Sequence, residues 1–148
     1  MSSNSTATEI RYAGPDLFIG TSPGGHAFVL DTDHERASAP SPIELLLVAL
    51  GSCTAVDVVS ILKKKRQVVT EYTNKVTGER RDEFPRSFTK MHVHHIITGF
   101  SVDEAAVAKA IELSEEKYCS VAATLRPTVE ITSSFEVIEA EPTASGAA

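Results

Sequence analysis

One run constrains the fold more than any other: SPIELLLVALGSCTAVDVVSILKKK, from Ser41 to Lys65. It opens with a helix-start signal. Ser41 suits the N-cap, Pro42 the first helical position, and Glu44 completes a capping box. Beyond the cap the run is apolar almost all round. A helix predicted to about Lys65 must therefore be covered on most sides, which makes it a long buried central helix. Glu44 and Asp57 interrupt the apolar run, and the charge-free stretch between them is shorter than a bilayer requires. A core helix is expected, with no membrane partner. The basic cluster Lys63–Lys64–Lys65–Arg66 reads as the charge favoured at a helix C-terminus. A net charge of -6 argues against nucleic acid, whose phosphates call for an excess of Lys and Arg.

The segments around this helix set the class. Glu9–Tyr12, Leu17–Gly20 and Ala27–Asp31 read as short strands of an N-terminal β-meander, joined by turns at Ala13–Gly14–Pro15 and Ser22–Pro23–Gly24–Gly25. Asp31–Pro40 is a polar loop. After the helix, Val68–Val76 and Phe88–Thr98 form a β-hairpin across a charged loop, Thr77–Ser87. Val68, Tyr72 and Val76 share one face of the first strand, and Met91, Val93 and Ile97 one face of the second. His92 and His94 take that second strand's other face. They lack a third ligand nearby in sequence, so no metal is expected. Ser101–Glu104 reads as a second capping box, opening a helix to about Tyr118 with Val107, Ile111 and Tyr118 near one face. A short helix over Ser120–Leu125 completes a second helix pair, and Val129–Ile138 is a final strand. The order is that of an α+β domain. With 148 residues the chain suits one domain, placed at 9–138 between a disordered N-terminus, 1–8, and a disordered tail, 139–148. Met1–Thr8 has neither a basic nor an apolar region of a signal peptide, so a cytoplasmic location is expected, where cysteines stay reduced.

The central helix carries a cysteine at its middle. Cys53 lies among Gly51, Ser52 and Ala55, small residues that would let a backbone or a ligand approach the sulfur. Asp57 comes four residues later on the same face. It would disfavour a thiolate if its carboxylate faced the sulfur, or it could bond to Ser60 or a partner group. Cys119 falls at the junction of the second helix pair, where free N–H groups can favour a thiolate. The two cysteines stand 66 residues apart, so only the fold can bring them together. By composition alone they could be catalytic, redox-active or inert.

Several segments resemble one family. Ser41–Pro42 is followed eleven residues after the proline by Cys53, then by Ala55–Val56–Asp57–Val58–Val59–Ser60–Ile61–Leu62. Gly78–Glu79–Arg80–Arg81–Asp82–Glu83 and Glu115–Glu116–Lys117–Tyr118–Cys119–Ser120–Val121 fit as well. Over about residues 9–138 the chain resembles the OsmC/Ohr family of osmotically inducible and organic hydroperoxide resistance proteins, and most of all its YhfA-like branch. The resemblance implies an OsmC-like fold in an intertwined homodimer, with sites at the subunit interface. It implies that Cys53 is the peroxidatic cysteine attacking an organic hydroperoxide, and that Cys119 resolves the resulting sulfenic acid as a disulfide. It further implies reduction by a dithiol such as a dihydrolipoyl protein, and no metal or organic cofactor. The family's peroxidases hold an activating Arg with a Glu directly after the proline. That position is Ile43 here. Glu44, one residue later, is the candidate for a displaced catalytic carboxylate, although its capping role accounts for it. For the Arg, Arg11 and Arg36 are near in sequence. Two functions stay open: a thiol peroxidase for organic hydroperoxides, or a redox-sensing or binding protein for a small apolar ligand with little turnover.

Overall fold

The computed structural model describes residues 5–143 of the chain. It is an α+β structure with two three-stranded sheets and three α-helices among the described residues. The chain divides into two compact units, one ending at Leu46 and the other beginning at Leu47.

The first unit contains the predicted meander: β1 (Glu9–Gly14), β2 (Leu17–Thr21) and β3 (Ala27–Asp31), antiparallel in the order β1-β2-β3. The loop after β3 is polar, as expected, and it is built around one buried carboxylate. Asp31 accepts from Arg36 Nε and Nη2, both at 2.8 Å, from Ser38 Oγ at 2.6 Å, and from the Asp33 and Ser38 N–H groups. The Arg36 guanidinium beside it, then Ser38, hold its carboxyl far below the usual carboxylate range. The central helix, α1 (Pro42–Lys64), starts in this unit. Its capping box forms as predicted: the Ser41 N–H donates to Glu44 Oε2 at 2.7 Å, and the Glu44 N–H to Ser41 Oγ at 3.4 Å.

The second unit contains most of α1, the strands β4 (Val68–Arg80), β5 (Phe88–Phe100) and β6 (Glu130–Glu139), and the helices α2 (Glu104–Leu113) and α3 (Ser120–Leu125). The sheet order is β4-β5-β6, with β5 and β6 parallel, so the α2–α3 segment is their crossover. The core joins Val58 and Leu62 of α1 to Ile97 of β5 and to Val107, Ala110 and Ile111 of α2. By length and composition α1 could cross a bilayer. In this unit one of its faces makes the core instead, while Val48, Val56 and Val59 stay exposed. The chain by itself thus covers one side of the helix rather than most sides.

Several local expectations change. β4 runs to Arg80, so the hairpin loop is shorter than Thr77–Ser87. Val68 is exposed and Val69 takes the inward side, because a bulge at Thr70 inserts a residue between Val69 and Glu71 and inverts the alternation upstream. Asp103, not Ser101, caps α2: its carboxylate accepts from Ala105 N–H at 3.0 Å, while Ser101 adopts φ +50 and donates its N–H to Glu139. The helix predicted through Tyr118 changes character at Ser114. Ser114–Tyr118 is a π-helical turn, in which Cys119 N–H bonds to Ser114 C=O, five residues back, at 2.8 Å. The wider turn rotates Tyr118 out of the face of Val107 and Ile111, and it is exposed. The final strand reaches Glu139, one residue beyond the expected domain end. Of the two expected disordered segments, residues 1–4 and 144–148 lie outside the described residues.

Candidate functional site

Cys53 lies in the middle of α1 and is half-buried. It stays in the helix although it closely succeeds Gly51, whose helix cost is about 1 kcal/mol. The reason for that glycine lies on β4. A Cβ on Gly51 would stand 2.8 Å from Val76 Cγ2 and 2.9 Å from Asn74 Oδ1. Asn74 Nδ2 donates to the Gly51 carbonyl at 2.8 Å and to Tyr72 Oη at 2.9 Å. The small residue lets α1 seat against the strand. Gly51 also lines a cavity, together with Ser52, Ala55, Leu47 and Val48.

The bond from Asn74 leaves the Tyr72 hydroxyl as a donor toward His95 Nδ1, 2.6 Å away. His95 is buried, and burial, followed by the charges of His94 and His92, lowers its pKa to about 4. The ring is neutral at pH 7 and accepts from Tyr72. This Gly51–Asn74–Tyr72–His95 chain was not foreseen from the sequence. Its signal was His95, which shares the inward face of β5 with Met91, Val93 and Ile97.

Cys119 is 3% exposed and caps α3, its Sγ accepting from Ala122 N–H at 3.3 Å. Burial pushes its thiol up to about 11, against the Ala122 N–H, and the Cys53 side chain adds to that push. Cys53 thus lies near enough to Cys119 to bear on its titration. They are free thiols. Cys53 is half-buried, whereas Cys119 is buried and held as a thiol.

Asp57 bonds to neither the sulfurs nor Ser60. Its Oδ2 accepts from Ser114 Oγ at 2.8 Å, and Ser114 is fully buried at the start of the π-turn. Glu44 lies in the first unit, exposed, its carboxylate engaged by Ser41 N–H. That bond lowers its pKa and accounts for it as a cap. Arg36 is committed to Asp31, with Asp33 3.8 Å away. His92 and His94, on the sheet's other face, bond to Thr132, Ser134 and Glu136 of β6.

Comparison with known proteins places this geometry in context. The profile of the family described as OsmC-like protein matches residues 33–134. Protein YhfA of Escherichia coli K12 is 50% identical over 123 residues, which cover 83% of this chain and 91% of the relative. A crystal structure of a hypothetical protein from Aquifex aeolicus is 32% identical, with a TM-score of 0.83 over 94% of this chain and 100% of that one. The organic hydroperoxide resistance protein OhrB of Bacillus subtilis shares the fold at 15% identity, with a TM-score of 0.61 over 89% of this chain and 98% of that one.

Proposed function

We propose, on the premise that this chain belongs to the OsmC-like protein family, that it is a cysteine-based thiol peroxidase acting on organic hydroperoxides. The observation that carries the reading is the presence of a half-buried Cys53 and a buried Cys119 thiol, whose titration Cys53 influences, in one unit. Solved structures sharing the fold include proteins named for organic hydroperoxide resistance.

The pairing divides the labour. The Cys53 thiolate attacks the outer oxygen of the hydroperoxide, the O–O bond breaks, and the departing alkoxide takes up the proton that the Cys53 thiol had released, leaving as the alcohol. Cys53 is then a sulfenic acid. Cys119 attacks its sulfur, the hydroxyl departs with the thiol proton as water, and a disulfide remains. A dithiol such as a dihydrolipoyl group returns both thiols by two exchanges. Burial keeps Cys119 from the peroxide and holds its proton until the second step.

The protein acts as a homodimer in the cytoplasm, where its cysteines are kept reduced. Support for the dimer comes from α1. Val48 is 57% exposed and Val56 70%, both on a helix apolar enough for a core. A second copy of the chain would cover that face. A second reading, a redox sensor or small-ligand binder with little turnover, is favoured by one observation: Glu44 and Arg36, the candidates for an activating pair, are each engaged elsewhere. Stopped-flow oxidation with cumene hydroperoxide under dithiol reductant separates the two. Saturable loss of hydroperoxide that Cys53→Ser abolishes supports the peroxidase. One oxidation per chain without turnover supports the sensor.

A further inference from the structure

The π-turn and Asp57 have no part in the steps above, yet both belong to the elements that carry the sulfurs. Asp57 lies one helical turn after Cys53 on α1. Its carboxylate accepts from Ser114 Oγ at 2.8 Å, and Ser114 is fully buried. The carbonyl of the same serine accepts from Cys119 N–H at 2.8 Å, closing the π-turn. Two consecutive hydrogen bonds thus run from the helix of one cysteine to the backbone of the other. A π-turn is rare, and it recurs at functional sites. Here it sets where the crossover chain leaves α2, and so where Cys119 stands at the start of α3.

We infer that Asp57 and Ser114 are positioning residues that hold Cys119 in register with Cys53, and that Asp57 does so by its hydrogen bond rather than by its charge. The inference rests on the dithiol reading of the same site. It explains why a helix serving a cysteine carries a carboxylate so close to the sulfur. Oriented contact of two reacting groups is worth a high effective concentration, and a small displacement loses much of it.

The test uses the disulfide equilibrium, which needs no peroxide. The full-length protein is equilibrated in glutathione redox buffers, where one glutathione disulfide oxidises the two thiols to the Cys53–Cys119 bond and leaves as two glutathiones. The oxidised fraction gives the effective concentration of one thiol at the other. Ser114→Ala and Asp57→Ala should each lower it about tenfold, which is about 30 mV in the reduction potential. Asp57→Asn keeps a side-chain carbonyl that can accept from Ser114, and should stay within about twofold of the parent. Its comparison with Asp57→Ala decides the matter even if Ser114→Ala fails to fold. A Ser114→Ala midpoint equal to the parent's overturns the inference, as does an Asp57→Asn shift as large as that of Asp57→Ala. A parent that forms no Cys53–Cys119 disulfide at any buffer ratio overturns it as well. A parent with the expected disulfide equilibrium but no hydroperoxide turnover leaves the inference standing and removes the peroxidase reading alone.

Discussion

His95 gives the structure a stability that depends on pH in a defined window. The ring is 1% exposed and accepts from the Tyr72 hydroxyl at 2.6 Å, so it is held neutral. In the unfolded chain an ordinary histidine takes up a proton near pH 6.5, whereas here burial defers that to about 4. Above pH 6.5 neither state is protonated and the group contributes nothing to the pH dependence. Between 6.5 and 4 the unfolded chain binds more protons, so stability falls as the pH falls. Each pH unit is worth about 1.4 kcal/mol, which makes the loss about 2 kcal/mol at pH 5 and about 3 kcal/mol near pH 4. Urea unfolding at fixed protein concentration, repeated from pH 7.5 to 4.5, measures it as a falling midpoint at constant slope. His95→Gln has no proton to take up and should flatten that part of the profile, whatever it costs at pH 7. A parent whose stability is level between pH 6.5 and 4.5 would show that His95 does not govern this window. So would a His95→Gln profile that keeps the parent's slope.

Other outcomes come from named contacts. Gly51→Ala gains about 1 kcal/mol of helix propensity but forces a Cβ to within 2.8 Å of Val76 Cγ2 and 2.9 Å of Asn74 Oδ1. Overpacking costs about 1–3 kcal/mol, so the variant should unfold at lower urea than the parent. Glu44→Gln weakens the cap and should lower the melting temperature while leaving the rate of Cys53 oxidation unchanged; a large rate loss with an unchanged melt would make Glu44 the displaced catalytic carboxylate. Val56→Asp puts a charge on the exposed apolar face of α1 and should shift the sedimenting species from dimer toward monomer. A parent that sediments as a monomer at micromolar concentration would remove the dimer. Cys119→Ser should still oxidise at Cys53 but stall as sulfenic acid, which dimedone traps.

The sequence was most legible where a local signal and the tertiary structure agree. The Ser41–Glu44 box, the apolar helix after it and the three short meander strands each form as their residues dictate. It was less legible where one residue changes a parity. Nothing in Val68–Val76 announces the bulge at Thr70, which sends Val68 outward, and nothing in Ser114–Tyr118 announces a π-turn in place of an α-turn. The capping box at Ser101–Glu104 misled because Asp103 offers a better-placed oxygen. Cys53 and Cys119 stood out as candidates through their sequence contexts. The contacts of the elements that carry them did not: Asp57 of α1 bonds to Ser114 at the end of α2, and Asn74 of β4 to Gly51, pairings that chain spacing does not encode.

Whether Cys53 and Cys119 form one redox unit that reduces an organic hydroperoxide is decided by a single turnover. Fully reduced protein is mixed with one equivalent of cumene hydroperoxide, then alkylated and mapped by mass spectrometry without reduction. A working pair yields one equivalent of alcohol and a Cys53–Cys119 link within one chain, equal to the hydroperoxide consumed. Unconsumed hydroperoxide with both cysteines alkylated, or links only between chains, would mean that the two sulfurs do not work as that unit.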